Sequence, residues 1–221
     1  MKKNILLYTI AVSLLLIFGL YFNWSLQKPE VRYNGSIDLN FEDIIDPMND
    51  AFFLEGNKGI DLLIVHGLGA SPYQTRNLAN YLNSKGITVY SVRLGGHGTN
   101  IGDMEASRWE DWYSDVENGL DYLRKGSEKT CVLGVSAGSD LVLNLAKEYD
   151  LDCIIVVAPP MFLKNEKAKF AFIAQYFDRY HYFGGINTEV GHAYENLPTK
   201  TVAEFVDLIN SASKGLNKIT E

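Results

Sequence analysis

The pentapeptide Gly134-Val135-Ser136-Ala137-Gly138 carries the residue types of nucleophilic acyl transfer at the spacing that this chemistry demands. In a G-x-S-x-G turn the serine stands at a sharp strand-to-helix junction, and glycine two places before and after it lets the crossing backbones approach each other. Ser136 is therefore the candidate nucleophile, with Gly134 and Gly138 as the elbow glycines. The helix that follows such a turn aims its first N–H groups at negative charge developing on a substrate. A second constellation, His66-Gly67-Leu68-Gly69, follows an apolar run that ends at Val65. A loop in that place supplies one backbone N–H to an oxyanion hole, and the residue after the nucleophile supplies the other. Leu68 and Ala137 are the expected donors, and the side chain of Leu68 is then free to face an apolar acyl group. Taken alone, each segment also reads as an ordinary glycine turn; it is the pairing of the two that points to chemistry.

Those residues need strands that end beneath them and helices that begin above. Asp61 to Val65, Ile87 to Val92, Thr130 to Val135 and Cys153 to Ala158 are short, β-branched, nearly continuous apolar runs, which suit parallel strands covered on both faces. Between them lie helix signals. Ser71-Pro72-Tyr73-Gln74 offers an N-cap, a proline at the first helical position and a Gln able to close a capping box, with Gly86 as the stop. Trp109, Trp112, Tyr113, Val116, Leu120 and Leu123 recur at helical spacing, and Gly126 ends that helix. A third helix is expected from Gly138 or Ser139 to about Tyr149. The alternation predicts a doubly wound, mostly parallel α/β sheet with right-handed crossovers over residues 51–158. Met161 to Pro198 contains no convincing strand and many aromatics, among them Phe162, Phe170, Phe172, Phe177 and Phe183, which predicts a helical cap over 159–200. These aromatics either line a pocket or pack the cap on the body. Val202, Phe205, Val206 and Ile209 set out a return helix within 201–221.

The 221 residues carry 20 Lys and Arg against 27 Asp and Glu, a net charge of -7. That is the wrong sign for holding phosphate backbones, so nucleic acid is not an expected partner. Cys131 and Cys153 form no metal-ligand spacing and lie in apolar strand runs, so packed thiols are expected, with a disulfide left open. No metal and no cofactor is implied. Ahead of the connector at 25–50, Lys2 and Lys3 precede an uncharged run from Ile5 to Phe22 with Trp24 beyond it. Its length and basic flank predict an N-terminal membrane anchor over 1–24, cytoplasmic at its start, with the rest of the chain on the outer side; a cleaved signal is the alternative.

His66-Gly67-Leu68-Gly69-Ala70-Ser71-Pro72, Arg93-Leu94-Gly95-Gly96-His97-Gly98-Thr99, Trp109-Glu110-Asp111-Trp112 with Asp115-Val116, and the serine elbow resemble, in that order, the monoacylglycerol lipases and small bacterial carboxylesterases of the α/β-hydrolase superfamily. The resemblance runs from about Phe52 to the C-terminus and implies a serine hydrolase of carboxylic esters, with a small apolar acyl ester as substrate and Ser136 forming an acyl-enzyme. Ser139 departs from the second glycine common in these enzymes. In the superfamily the triad acid and histidine follow the serine, and the chain ends where the strand leading to the acid is expected, so C-terminal core strands are expected to be missing. His66 and His97 precede the serine, and His181 and His192 fall in the cap. His192 with Asp178 or Asp207 is a weak alternative, and the triad acid and base are left unassigned. Little turnover is expected from a chain without them, and an inactive hydrolase or non-catalytic acyl-binding protein is the competing reading.

Overall fold

The structure, a computed structural model, describes residues 46–124, 128–161, 170–177, 180–182, 193–194 and 196–219. The chain divides into the compact units Met1–Asn34 and Gly35–Glu221, and the described residues all belong to the second. The segment 1–24, most of the connector, Gly126, and Phe162, Phe183, Asp178 and His192 of the cap lie outside the described residues.

Five strands form the main sheet in the order β1-β3-β2-β4-β5: β1 Phe52–Leu54, β2 Ile60–Val65, β3 Thr88–Val92, β4 Lys129–Val135 and β5 Cys153–Val157. β2 pairs in parallel with β3 and β4, β4 with β5, and β1 runs antiparallel to β3. The helices are α1 Arg76–Asn83, α2 Ile101–Ala106, α3 Trp109–Leu123, α4 Ala137–Leu145, α5 Ala171–Ala174 and α6 Thr199–Ser213. Alternate residues of the central strand β2 serve opposite faces, as the pleat requires. Leu63 and Val65 join Trp112, Leu120, Leu141 and Leu208, while Leu62 and Ile64 join Ala79 and Val89. The centre of the sheet is thus covered on both sides, as a doubly wound fold requires. Leu63, Ile64 and Val65 are completely buried, each worth roughly 1.5–3 kcal/mol of transfer free energy. Trp112 is buried as the helical spacing predicts, and its indole N–H donates to Ser107 Oγ at 3.0 Å.

Several expectations need correction. Ser71 to Gln74 opens as a 3-10 turn, Pro72–Thr75, and only then does α1 begin. Ser71 donates to Asn49 Oδ1 at 2.8 Å instead of capping, and Gln74 is recruited by another loop. The cap is not free of strands, since β6 Tyr180–Tyr182 pairs antiparallel with β7 Asn196–Pro198. Among the described residues β5 forms one edge of the sheet, as expected where C-terminal core strands are missing, and Ile155, Val156 and Val157 are exposed rather than covered on both faces as their apolar run suggests. The cysteines are not packed thiols. Cys131 and Cys153 are register partners on neighbouring strands with Cα atoms 4.6 Å apart, within bridging range, and they form a disulfide.

The expected single-pass membrane placement is also corrected. Among the described residues no helix is long and apolar enough to cross a membrane. The longest, α3 and α6, have 15 residues each, or about 22 Å against a hydrocarbon core of about 30 Å. The anchor, the signal-anchor reading and the outer-side localisation are withdrawn with it.

Candidate active site

β4 runs directly into Ser136, and α4 starts at the next residue. Ser136 adopts φ 52 and ψ -120, a conformation that costs a non-glycine residue on the order of 1–3 kcal/mol and persists only where its surroundings enforce it. Enforcement comes from close backbone crossings. A Cβ at Gly134 would stand 2.3 Å from Gly138 O, and one at Gly138 would stand 2.4 Å from Val65 O. A side chain at either glycine would therefore collide with main chain. Ala137 opens α4, so its N–H has no partner within the helix.

The loop after β2 lies against this turn: a Cβ added at Gly67 would be 3.3 Å from Ser136 Cβ. The Gly67 N–H donates to Gln74 Oε1 at 2.9 Å and the Ala70 N–H to Gly67 O at 3.2 Å, with Leu68 between them. The side chain of Leu68 is buried in the main apolar cluster. Tyr194 adds a tie from the stretch that precedes β7, its N–H donating to Gly69 O at 2.8 Å and its hydroxyl to Gly96 O at 3.0 Å. Gln74 and Tyr194 were not legible as site residues, since their partners are far away in sequence or in a loop without periodicity.

The Arg93–Thr99 segment backs the site and is held from several directions. His66 Nε2 accepts the Leu94 N–H at 3.2 Å, which places the His66 proton on Nδ1, facing Gly67 O at 2.9 Å. Asp115 Oδ2 accepts the Gly95 N–H at 2.7 Å, and Arg93 pairs with Asp50 at 3.2 Å. Burial pushes the Asp115 carboxyl up to about 7 despite that hydrogen bond. Burial also lowers His66 to about 4 and His97 well below the usual imidazole value. Both histidines are fully buried and committed to this scaffold, so neither is placed to take a proton from Ser136. His192, and the side chain of His181, lie outside the described residues, as does Asp178, while Asp207 sits on α6. No acid or base is assigned. Among the described residues no group of His, Cys, Asp and Glu could hold a metal ion.

Solved structures share this fold. One solved chain of the metagenome-derived lipolytic enzymes LipS and LipT superposes with a TM-score of 0.72 at 22% identity, covering 79% of this chain and 73% of that one. The monoacylglycerol lipase of Paleococcus ferrophilus gives 0.62 at 16% identity, covering 77% and 73%. A mostly parallel sheet with helices on both faces and a serine elbow after β4 is the α/β-hydrolase fold, and the chain has it.

Within that fold, the sequence model of the family described as serine aminopeptidase, S33 matches residues 58–219, and the chain belongs to this family. A carboxylesterase of Bacillus subtilis (strain 168) is 27% identical over 172 residues, which are 76% of this chain and 69% of the relative. A thermostable monoacylglycerol lipase of Bacillus sp. (strain H-257) is 37% identical over 107 residues, 48% of this chain and 42% of the relative. The chain thus spans about two thirds of one relative and less than half of the other. The resemblance to carboxylesterases and monoacylglycerol lipases holds.

Proposed function

We propose that the chain is a serine hydrolase of carboxylic esters with an apolar acyl group. The observation that carries this reading is the juxtaposition of two turns, Ser136 in its forced conformation and Gly67 so close that a Cβ on it would meet Ser136 Cβ at 3.3 Å, which supports their chain neighbours Ala137 and Leu68 as the oxyanion donors. In the reaction Ser136 Oγ attacks the ester carbonyl carbon, and its proton passes to a general base. The negative charge on the carbonyl oxygen is received by the N–H groups of Leu68 and Ala137. The alcohol leaves with a proton, and water releases the acid from the acyl-enzyme. Residues 159–200 act as a cap in this reading, and residues 201–221 as the return helix. The names of the two Bacillus relatives support esters over peptides, although the family description mentions an aminopeptidase.

The test is labelling by a fluorophosphonate probe and hydrolysis of p-nitrophenyl esters of graded acyl length, with Ser136→Ala beside the native chain. Labelling and turnover are expected to vanish in Ser136→Ala. Equal labelling of both proteins at another residue would refute the assignment. An acyl-binding protein without turnover would instead retain affinity for a fatty acyl ligand and take no label.

A further inference from the structure

Ser136 is held through its own amide, which donates to Val157 O at 2.8 Å. Val157 is the last residue of β5, the edge strand, and it is exposed. Among the described residues no strand lies on its far side. Val157 pairs with Val135 at the very end of the β4–β5 ladder, so this bond is the ladder's last rung, where local opening costs least. A forced conformation such as that of Ser136 needs better support.

Ser139 supplies it. The side chain is fully buried one turn into α4, with Oγ 2.8 Å from Gly134 O and 3.0 Å from Val157 O, and it receives the Val157 N–H at 3.1 Å. A hydroxyl has one proton and two acceptor positions, so Oγ can donate to one of the two carbonyls while accepting the amide. One oxygen atom thus joins the last residue of the edge strand to the elbow glycine. The Ser139 N–H meanwhile donates to Ser136 O at 2.8 Å. Ser136 is therefore gripped at both its N–H and its C=O by groups that Ser139 organises.

We infer that Ser139 is a positioning residue for the nucleophile, acting through Val157: its hydroxyl, accepting the Val157 N–H and donating to Gly134 O, ties to the elbow the residue whose carbonyl holds the Ser136 amide. The inference rests on reading Ser136 as the nucleophile, and it is distinct from helix packing, which a small side chain of any kind would satisfy at this position.

The experiment compares the native chain with Ser139→Ala and the hydroxyl-retaining Ser139→Thr, with Ser136→Ala as the labelling blank. Two quantities are read: hydrogen exchange at the amides of Ser136 and Val157, and fluorophosphonate labelling resolved into a maximal rate and a half-saturating probe concentration. Removing one hydrogen-bonding group should raise exchange at both amides, and lower the maximal labelling rate, by about tenfold. The half-saturating concentration and exchange at Leu63 in β2 should not change, and Ser139→Thr should recover toward native behaviour. Native exchange at both amides in Ser139→Ala, or a native maximal rate, would overturn the inference. If Ser139→Thr does not fold, Ser139→Ala decides alone. A native chain that takes no label at Ser136 refutes the nucleophile reading, whereas the coupling of Ser139 to Val157 is still judged by the exchange data.

Discussion

His66 and His97 lie with their ring centroids 5.0 Å apart at 61°, both fully buried, and His97 rests in turn on Trp112 at 5.4 Å. His66 uses both ring nitrogens, while the His97 Nδ1–H donates to Gly95 O and Nε2 is left buried without a partner among the described residues. Neither ring can gain a proton without a charge entering the core. Burial holds His66 at about 4 and His97 well below 6.5, whereas the unfolded chain takes up protons near 6.5. Stability contributed by the pair is complete above about pH 6.5 and is lost as the pH falls toward 4. The ring carbon resonances of His66 and His97 should accordingly show the neutral form down to about pH 5 in the folded protein. A titration centred near 6.5 would contradict this.

Asp140 works in the opposite direction. It is fully buried on α4, neither carboxylate oxygen has a hydrogen-bond partner among the described residues, and burial raises it to about 7. Its folded value lies above its unfolded one, so its contribution is complete below about pH 4 and is lost as the pH rises through 7. Asp140→Asn should raise the melting temperature by on the order of 5 °C at pH 8 and by little at pH 4. Because the carboxylate and the histidines oppose each other between pH 4 and 7, the variant should also show a steeper loss on acidification than the native chain. Differential scanning calorimetry across that range decides it, and an equal gain at both pH values would count against a buried carboxylate.

Gly134 and Gly138 should tolerate no Cβ. The added atom would meet main-chain oxygen at 2.3 Å and 2.4 Å, and main chain cannot rotate away as a side-chain end does. Gly134→Ala and Gly138→Ala should each destabilise the fold by at least about 3 kcal/mol. Gly95→Ala is the control, since its Cβ would come no closer than 3.4 Å, to Asp115 Oδ2. Denaturant titration of the three variants would show whether contact, rather than loss of glycine, is what matters.

Reducing the Cys131–Cys153 disulfide should lower stability as well. The cysteines are 22 residues apart, and opening a loop of that size releases about 3 kcal/mol of chain entropy in the unfolded state. The midpoint of urea denaturation should fall on adding a phosphine reductant, and it should not move in a Cys131→Ser/Cys153→Ser double variant. A reductant effect that persists in the double variant would assign the change to something other than this bond.

What the sequence makes legible here is local. Four of the five sheet strands and the Trp109–Leu123 helix announce themselves through periodicity within a few residues. The elbow glycines do so through a motif whose geometry lies inside five residues. Features that depend on distant pairing are not visible in this way. β1 is three residues long and is defined by its partner β3, and β6 and β7 are defined by each other. The hydroxyl of Tyr194 finds Gly96 across 98 residues. Gln74 carries a side chain suited to a capping box, yet the Gly67 N–H competes for the same oxygen and wins, an outcome that needs the folded loop to exist first. Cys131 and Cys153 become a disulfide because β5 lies beside β4 in the matching register, which spacing alone does not specify.

The segment Arg93 to Gly96 is touched by Asp50, His66, Asp115 and Tyr194, one group each from four separate stretches of chain. Four otherwise unrelated regions therefore share one mechanical node, and energetic effects at that node cannot be independent. Removing Asp115 loosens the same few peptides that Tyr194 grips, so the second loss finds less left to disturb. Double-mutant cycles between Asp115→Asn and Tyr194→Phe, residues without a direct bond to each other, should depart from additivity by about 0.5–3 kcal/mol. An alanine scan of this region read one residue at a time would count the same shared restraint several times over.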